Sequence, residues 1–201
     1  MKLYSMPSSG NSYKVRLLAA LLGLRLDIRD VENGSAELAE ARAEGRLPFG
    51  KAPVLELDDG TLLPESNAIL WFLGEGTRFV PADAVLRAQM LGWMFWEQYS
   101  HEPVIAVRAA LRVYPERAAQ ATLERMAELL DHGHAALDRM EARLAAHDWL
   151  VGDGPTLADI SLHAYTHTAA DRGGFDMARF PGIGRWLERI ARLPGYVGLH
   201  G

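Results

Sequence analysis

Residues 47–73 read LPFGKAPVLELDDGTLLPESNAILWFL, and this stretch decides the fold. It predicts a loop that ends at Pro53, a tight hairpin that turns at Gly60, and a helix that begins at Ser66. The glycine tolerates the positive φ that such a turn requires. Each piece offers backbone polar groups that the fold itself does not have to use. Together they indicate a binding site for a small peptide-like ligand.

The residues before this stretch alternate between strand and helix patterns. Residues 2–6 predict a strand, turn formers follow, and apolar residues then recur at helical spacing from Tyr13 to a stop at Gly23. Residues 26–31 alternate as a strand does, and residues 36–44 predict a charged helix. This order requires a right-handed crossover between parallel strands. With the hairpin added, the sequence predicts an α/β domain with a mixed four-stranded sheet.

The rest of the chain predicts helices and no further strand. The predicted helices cover residues 84–113 with a kink at Pro103, 115–147, 156–170 and 181–192. The helix over residues 115–147 carries an apolar stripe, which favours core or subunit contact. The stripe comprises Leu123, Met126, Leu129, Leu130, Leu137, Met140 and Leu144.

The change from mixed α/β to all-α patterns near residue 80 predicts a domain boundary. We expect an α/β domain at residues 1–76, a linker at residues 77–83, and an all-α helical bundle at residues 84–201.

Composition excludes several classes of function. The chain has 201 residues and a formal net charge of −5, so it lacks the positive field of a nucleic-acid binder. It contains no Cys, which excludes disulfides, thiolate metal sites and a cysteine nucleophile. Residues 1–7 lack the long apolar core of a signal peptide or a membrane span. We therefore expect a cytoplasmic protein without a metal.

The loop before the first helix holds Ser8, Ser9, Asn11 and Ser12. A helix cap needs one or two of them, and Ser12 or Asn11 suits that role. The others would lie where free N–H groups and the helix dipole favour negative charge. A free thiol has a pKa of about 8.5, so a donated hydrogen bond in this field would increase its thiolate fraction at neutral pH. Capping and stabilisation of an anion are both open.

The two ends of the hairpin segment also have two interpretations each. Pro53 fits a turn before a strand, and a cis bond before it would free the backbone of Ala52 for a ligand. Ser66 is a preferred N-cap and Glu65 suits a first helical turn. Alternatively, Ser66 and the helix N–H groups hold a carboxylate while Glu65 pairs with an ammonium group. The end of a zwitterionic amino acid fits both.

Polar residues of the helical half give further candidates. The aromatic cluster at residues 93–99 repeats at helical spacing, which predicts core. The polar tip of Tyr99, with His101, Glu102 and Arg108, could instead face a cleft and form a pocket for an acceptor substrate.

Two other pairs in this half are assigned to structure. Thr156 and Asp159 precede an apolar run as a capping box does, so we assign them to folding. His163 and His167 have the i, i+4 spacing of metal ligands, but no third ligand accompanies them in a recognisable motif, which favours packing or surface.

These motifs together resemble the cytosolic glutathione transferases, in particular bacterial members of the theta-like and zeta-like serine type. The Ser-rich loop before YKVR at residues 13–16, GKAPVL at 50–55 and ESNAI at 65–69 are similar to their thioredoxin-like N-terminal domain. GPTLADI at residues 154–160 is similar to their helix-capping segment, and the helical remainder is similar to their C-terminal domain. The resemblance thus covers the whole chain and implies the two-domain fold.

The resemblance implies glutathione as the co-substrate and assigns residues to its binding. Pro53 would be the cis-proline, and the backbone of Ala52 would pair with the cysteinyl backbone. Glu65 and Ser66 would take the γ-glutamyl end. Lys51 would lie toward the glycine carboxylate as a point charge on a flexible stem.

The resemblance also implies a catalytic residue. Ser9 falls where theta-like and zeta-like members carry the serine that stabilises the thiolate, and Asn11 is the alternative donor to the sulfur. Tyr4 stands at a strand end and not in the loop. Two departures from the family pattern are present: Ala52 replaces the usual Val, and Gly10 with Asn11 does not match the Ser-Cys pair of zeta-like members, which argues against maleylacetoacetate isomerase activity.

The activity implied is conjugation of glutathione to a small, mostly hydrophobic electrophile, as in detoxification. The alternatives are a non-catalytic glutathione-binding or scaffold protein of the same fold, and a glutathione-dependent peroxidase or dehalogenase. The family also implies a homodimer that buries part of the helical face of residues 84–140.

Overall fold

The computed structural model describes residues 1–200 and forms two compact units. Among the described residues, the first unit contains residues 1–77 and the tail at residues 191–200, and the second contains residues 78–190. The first is α/β, and the second is built from helices among the described residues. The predicted fold class is therefore confirmed.

One four-stranded sheet organises the first unit, in the order β2-β1-β3-β4. Its strands are β1 (Lys2–Ser5), β2 (Asp27–Asp30), β3 (Val54–Glu56) and β4 (Leu62–Pro64). β1 runs parallel to β2 and antiparallel to β3, and β3 runs antiparallel to β4. The hairpin turn between β3 and β4 contains Gly60 with a φ of 86°, as that turn requires. The mixed sheet predicted from the sequence is thus present.

Three helices complete the body of this unit: α1 (Gly10–Leu21), α2 (Ala36–Ala43) and α3 (Ser66–Gly74). α1 packs against α3. It begins at Gly10, before the expected start at Tyr13, because Ser9 is its N-cap. The expectation that Ser12 or Asn11 caps this helix is therefore wrong, since both lie inside its first turn.

The C-terminal tail packs against α1. The Tyr13 hydroxyl donates to the Val197 carbonyl at 2.8 Å, and Arg16 Nη2 donates to the Leu199 carbonyl at 2.8 Å. Gly195 has a φ of 88°, and a Cβ there would lie 2.8 Å from the Ala20 carbonyl oxygen. This close approach of two backbones explains a glycine at that position.

The second unit begins with two helices, α4 (Ala84–Trp96) and α5 (Glu102–Val113), joined by a π-helical turn at Glu97–His101. The sequence predicts one helix kinked at Pro103. The structure is helical throughout residues 84–113, and a π-helical turn directly precedes Pro103, which lies in the first turn of α5.

The next helix, α6 (Leu123–Leu144), starts later than the expected residue 115. Pro115–Gln120 forms a 3₁₀ turn, and Thr122 caps α6 by accepting from the Arg125 N–H at 3.2 Å. The N-cap at Thr122 explains why the segment predicted as one helix forms a 3₁₀ turn followed by a separate α-helix. Of the predicted stripe, the deeply buried members are Leu129, Leu137, Met140 and Leu144. Leu123 is 92% exposed and does not belong to the core.

Two more helices close the second unit: α7 (Leu157–Thr166), which a π-helical turn follows at Ala169–Gly173, and α8 (Pro181–Ala191). Asp159 in α7 is fully buried and accepts from the Thr156 N–H at 2.8 Å. It also accepts from the Trp186 indole N–H at 2.9 Å. The assignment of Thr156 and Asp159 to folding is confirmed.

The aromatic cluster at residues 93–99 is mostly not core, contrary to the expectation from its spacing. Met94 is buried, but Phe95 is 70% exposed and Tyr99 is 89% exposed. Trp93 and Trp96 are half-buried and meet edge to face, with ring centroids 5.3 Å apart. Apolar spacing identifies one helix face but not which face is covered.

Candidate functional site

The loop between β1 and α1 places Ser9 at the start of a helix. Ser9 has extended backbone angles, and its Oγ accepts from the Ser12 N–H at 3.5 Å. The residue is half-buried. The first N–H groups of α1 and its dipole therefore surround the Ser9 hydroxyl with a field that favours negative charge.

The other two serines of this loop are occupied by protein groups. Ser8 Oγ donates to Glu32 Oε1 at 2.8 Å. Ser12 is fully buried, and its Oγ accepts from the Met6 N–H at 2.9 Å. Among the described residues, nothing accepts the hydroxyl hydrogen of Ser9. Ser12 Oγ likewise only accepts, but the residue is fully buried, so the half-buried Ser9 is the loop serine whose hydroxyl hydrogen can reach an outside group.

Tyr4 does not offer its phenol to this loop. Its side chain is 2% exposed, and its hydroxyl donates to Glu56 Oε2 at 2.8 Å. Burial, and then this hydrogen bond, raise the pKa of the Tyr4 phenol. Tyr4 lies on β1 within the core, which explains both its burial and its hydrogen bond to Glu56.

The segment before β3 presents an unpaired stretch of backbone. The Ala52–Pro53 peptide bond is cis, as the resemblance implies. No group among the described residues bonds to the N–H or the C=O of Ala52. Lys51 is exposed beside it, while Arg42 holds the preceding Gly50 carbonyl through two bonds of 3.1 and 3.0 Å. This anchored segment can pair with an extended peptide-like ligand.

The start of α3 combines an uncapped helix end with a buried serine. Glu65 stands at the N-cap with a φ of 71°, is exposed, and makes no capping bond with its side chain. Ser66 is 4% exposed, and its hydroxyl donates to Asn11 Oδ1 at 3.1 Å. The structure thus brings together two predicted site residues that the sequence separates by 55 positions. The N-terminal end of α3 has backbone N–H groups without helical partners and the positive end of the helix dipole, and both favour the binding of a carboxylate.

Sequence reasoning missed Lys14. Its side chain is fully buried in the first unit, and its Nζ lies 3.4 Å from Ser66 Oγ. A lysine is rarely buried so deeply without a specific role. The available signal is its place on α1: Lys14 lies three and four residues from Leu17 and Leu18, on the buried stripe of the helix.

The predicted acceptor-pocket residues fall in different environments of the second unit. Tyr99 is 89% exposed, whereas His101 is fully buried and its Nε2 lies 3.0 Å from Thr166 Oγ1. Arg108 is buried, and it donates from Nε to the Gly173 carbonyl at 2.8 Å and from Nη1 to the Met126 carbonyl. These contacts give His101 and Arg108 structural roles, and the acceptor role of all three residues stays a prediction.

A surface cavity of about 340 Å³ also lies in the second unit, lined by Gln89, Gly92, Trp93, Trp96 and Arg139.

In α7, His163 is buried and His167 half-buried, and their rings stack in parallel with centroids 4.8 Å apart. This is packing, as the spacing without a third ligand favours. Within residues 1–200 no group of three or more potential ligands could hold a metal ion. Over the same range, no helix has the length and apolarity to cross a membrane.

Comparison with known families identifies the class. The N-terminal domain model of the glutathione S-transferases matches residues 3–76, and the C-terminal domain model matches residues 120–189. The chain therefore belongs to the cytosolic glutathione transferase family.

Individual members show how far the likeness extends. A solved glutathione S-transferase from Pseudomonas fluorescens is 44% identical with a TM-score of 0.93, over 100% of this chain and 98% of that one. Glutathione S-transferase 3 of Zea mays is 32% identical, over 98% of this chain and 91% of its own length. A maleylacetoacetate isomerase of Pseudomonas aeruginosa is 29% identical, over 100% of this chain and 95% of its own length.

Proposed function

We propose that this protein is a glutathione transferase in which Ser9 stabilises the thiolate of bound glutathione. The observation that carries the proposal is the hydroxyl hydrogen of Ser9, which nothing among the described residues accepts, at the N-terminus of α1. The same unit holds the unpaired backbone of Ala52 and the uncapped start of α3. These three features are what a cysteinyl thiol, its backbone and a γ-glutamyl carboxylate need.

The chain's own residues then divide the binding work. The backbone of Ala52, before Pro53, pairs with the cysteinyl backbone, and Lys51 lies toward the glycine carboxylate. Ser66 and the first N–H groups of α3 hold the γ-glutamyl carboxylate, while Glu65 pairs with its ammonium group. Such positioning converts the attack into an effectively unimolecular step.

Ser9 acts as a donor and not as a nucleophile. Its hydroxyl donates to the glutathione sulfur, which lowers the pKa of the thiol so that the proton passes to solvent. The thiolate attacks an electrophilic carbon of a small hydrophobic substrate and forms the S–C bond. The leaving group departs with its electron pair or, in an addition, the substrate later takes up a proton. Asn11 is the alternative donor.

Titration of the bound thiol tests this assignment. A hydrogen bond to a charged group is worth about 1.5–3 kcal/mol, so Ser9→Ala should raise the pKa of bound glutathione by about one to two units. Ultraviolet absorbance of the thiolate reports that pKa. Ser8→Ala is the matched control because Ser8 already donates to Glu32, and it should leave the pKa unchanged. Equal thiolate fractions in wild type and Ser9→Ala would remove Ser9 from the mechanism and turn the test to Asn11→Ala.

Turnover separates the enzyme from a binding protein. We expect retention on immobilised glutathione together with conjugation of some members of a panel of electrophiles. Retention without turnover would favour the non-catalytic binder, and peroxide reduction or dehalogenation in the same panel would redefine the acceptor.

Cis–trans isomerisation is the second candidate, favoured by the full-length similarity to the Pseudomonas aeruginosa isomerase. It would use the same thiolate. Gly10 and Asn11 stand where zeta-like members carry a Ser-Cys pair, so we rank conjugation first.

We also propose a homodimer that buries part of the face of residues 84–140. Sedimentation at micromolar concentration should show a species of about twice the chain mass of 22.2 kDa. A single species at the chain mass would contradict it.

A further inference from the structure

A buried lysine connects two residues of the proposed glutathione site. Lys14 is 0% exposed, Ser66 is 4% exposed, and the Lys14 Nζ lies 3.4 Å from Ser66 Oγ. Ser66 Oγ in turn donates to Asn11 Oδ1 at 3.1 Å. The two contacts form a short chain of hydrogen bonds that runs from Lys14 on α1 to Ser66 at the start of α3 and back to Asn11 on α1.

The direction of this chain follows from the donor inventory of its members. An ammonium group carries donors and no acceptor, so Ser66 Oγ must accept from Lys14. Its own hydrogen is then directed to another acceptor, which is Asn11 Oδ1 in this structure. A hydroxyl that accepts from a cation is polarised and becomes a stronger donor.

A ligand carboxylate at the start of α3 would receive that strengthened donor. An ionised carboxylate is a better acceptor than an amide oxygen, so it can take the Ser66 hydrogen from Asn11.

We infer that Lys14 is a positioning residue that acts through Ser66 and makes the site select thiols whose γ-glutamyl end carries an α-carboxylate. The inference rests on the proposed glutathione site and adds to it a source of ligand selectivity. Lys14 itself is buried and touches the ligand only through the Ser66 hydroxyl.

The test compares two ligands that differ in one group. Glutathione and 4-aminobutyryl-cysteinylglycine, which lacks only the α-carboxylate, are titrated calorimetrically into the full-length protein. The variants are Lys14→Met, which keeps the length of the side chain and removes its charge, and Lys14→Gln, which keeps a donor. Lys2→Met is the matched control, since it removes the same charge from an exposed side chain of the same unit. Circular dichroism checks each fold, and Lys14→Gln carries the comparison if Lys14→Met does not fold.

Loss of Lys14 should act selectively. We expect Lys14→Met to weaken glutathione binding about tenfold or more and the carboxylate-free analogue less than about twofold. Lys14→Gln should lie between wild type and Lys14→Met, and Lys2→Met should match wild type. In steady state, the KM for glutathione should rise in Lys14→Met while kcat stays near wild type.

Two results would overturn the inference in distinguishable ways. An equal loss for both ligands, or no loss for either, would make Lys14 a packing residue and leave the proposed function intact. If wild type fails to bind glutathione, the proposed function falls and the role of Lys14 falls with it.

Discussion

Replacement of Asp159 should destabilise the second unit more than most single substitutions. The carboxylate is fully buried and collects four hydrogen bonds from three residues. Oδ1 accepts from the Leu150 N–H at 3.0 Å and from Trp186 Nε1 at 2.9 Å. Oδ2 accepts from the Thr156 N–H at 2.8 Å and from its hydroxyl at 2.9 Å. One side chain therefore ties α7, α8 and the segment before α7 together.

The size of the effect follows from the donors left behind. In Asp159→Ala the N–H groups of Leu150 and Thr156 and the indole of Trp186 lose their acceptor, while the Thr156 hydroxyl can rotate. A buried unpaired donor costs about 1–3 kcal/mol, and breaking a buried charged network costs about 3–5 kcal/mol. We expect a loss of about 3–5 kcal/mol for Asp159→Ala. In Asp159→Asn the amide oxygen can keep the Oδ1 partners, so about half of that loss is expected.

Urea unfolding followed by circular dichroism measures these losses. Asp153→Ala is the control, because Asp153 is an exposed carboxylate of the same segment and should change the free energy of unfolding by less than about 0.5 kcal/mol. The reasoning fails if Asp159→Ala costs less than about 1 kcal/mol, or if the Asn variant is no more stable than the Ala variant. Either result would mean that the Asp159 hydrogen bonds do not set the stability of this unit.

Two further substitutions test packing and burial in the same unit. A Cβ at Gly182 would lie 2.7 Å from the backbone carbon of Leu144, so Gly182→Ala should cost about 1–3 kcal/mol in urea unfolding. Gly184→Ala in the same helix meets nothing within 4 Å and should be neutral or stabilising, and equal effects at the two positions would contradict the argument. Burial, with a smaller effect of His167, holds the pKa of His163 well below its ordinary 6.5. The unfolded chain therefore takes up a proton that the folded chain refuses, so stability should fall as pH drops below about 6.5, by up to about 1.4 kcal/mol per pH unit. Urea midpoints at several pH values should show this slope in wild type and a smaller one in His163→Gln. Parallel slopes would assign the acid sensitivity to other groups.

The elements that the sequence predicted well are those fixed by local chemistry. The hairpin depends on Gly60, whose φ of 86° suits a turn that most residues avoid. The first strands and helices were predicted from their hydrophobic periodicity and from the turn-forming residues between them. Only their boundaries differ in the structure. The start of α1 moved to Gly10 because Ser9, and not a later residue, takes the cap.

The failures of prediction lie where distant packing decides. Thr122 and the Pro115–Gln120 turn divide a segment that has a continuous helical pattern. Pro103 indicates a kink near residue 100, but not that it takes the form of a π-helical turn at Glu97–His101. The spacing of Phe95 and Tyr99 is equally typical of a buried and of an exposed face. Which face is covered depends on elements that meet only in the folded chain.

The candidate site likewise contains residues that the sequence predicts and contacts that it does not. The residue types of Ser9, Glu65 and Ser66 were predictable because helix starts need polar groups whether or not a ligand binds. The contact of Ser66 with Asn11 joins positions 55 apart, and the YKVR motif that contains Lys14 does not indicate that Lys14 reaches Ser66. Long-range contacts of this kind cannot be read from one sequence.

The two serines of the proposed site share one arrangement, in which a bond to the protein is compatible with the proposed binding of a ligand. A hydroxyl has one donor and two acceptor positions, so a protein donor can occupy its acceptor side while its hydrogen stays available. Ser9 accepts from the Ser12 N–H, and Ser66 accepts from Lys14. In each case the protein bond fixes the oxygen and leaves the hydrogen to a group outside the helix or to a weak acceptor such as Asn11. The protein bond of each hydroxyl is therefore compatible with its proposed role in ligand binding, although only Ser9 caps its helix, and the N-cap of α3 is Glu65 and not Ser66.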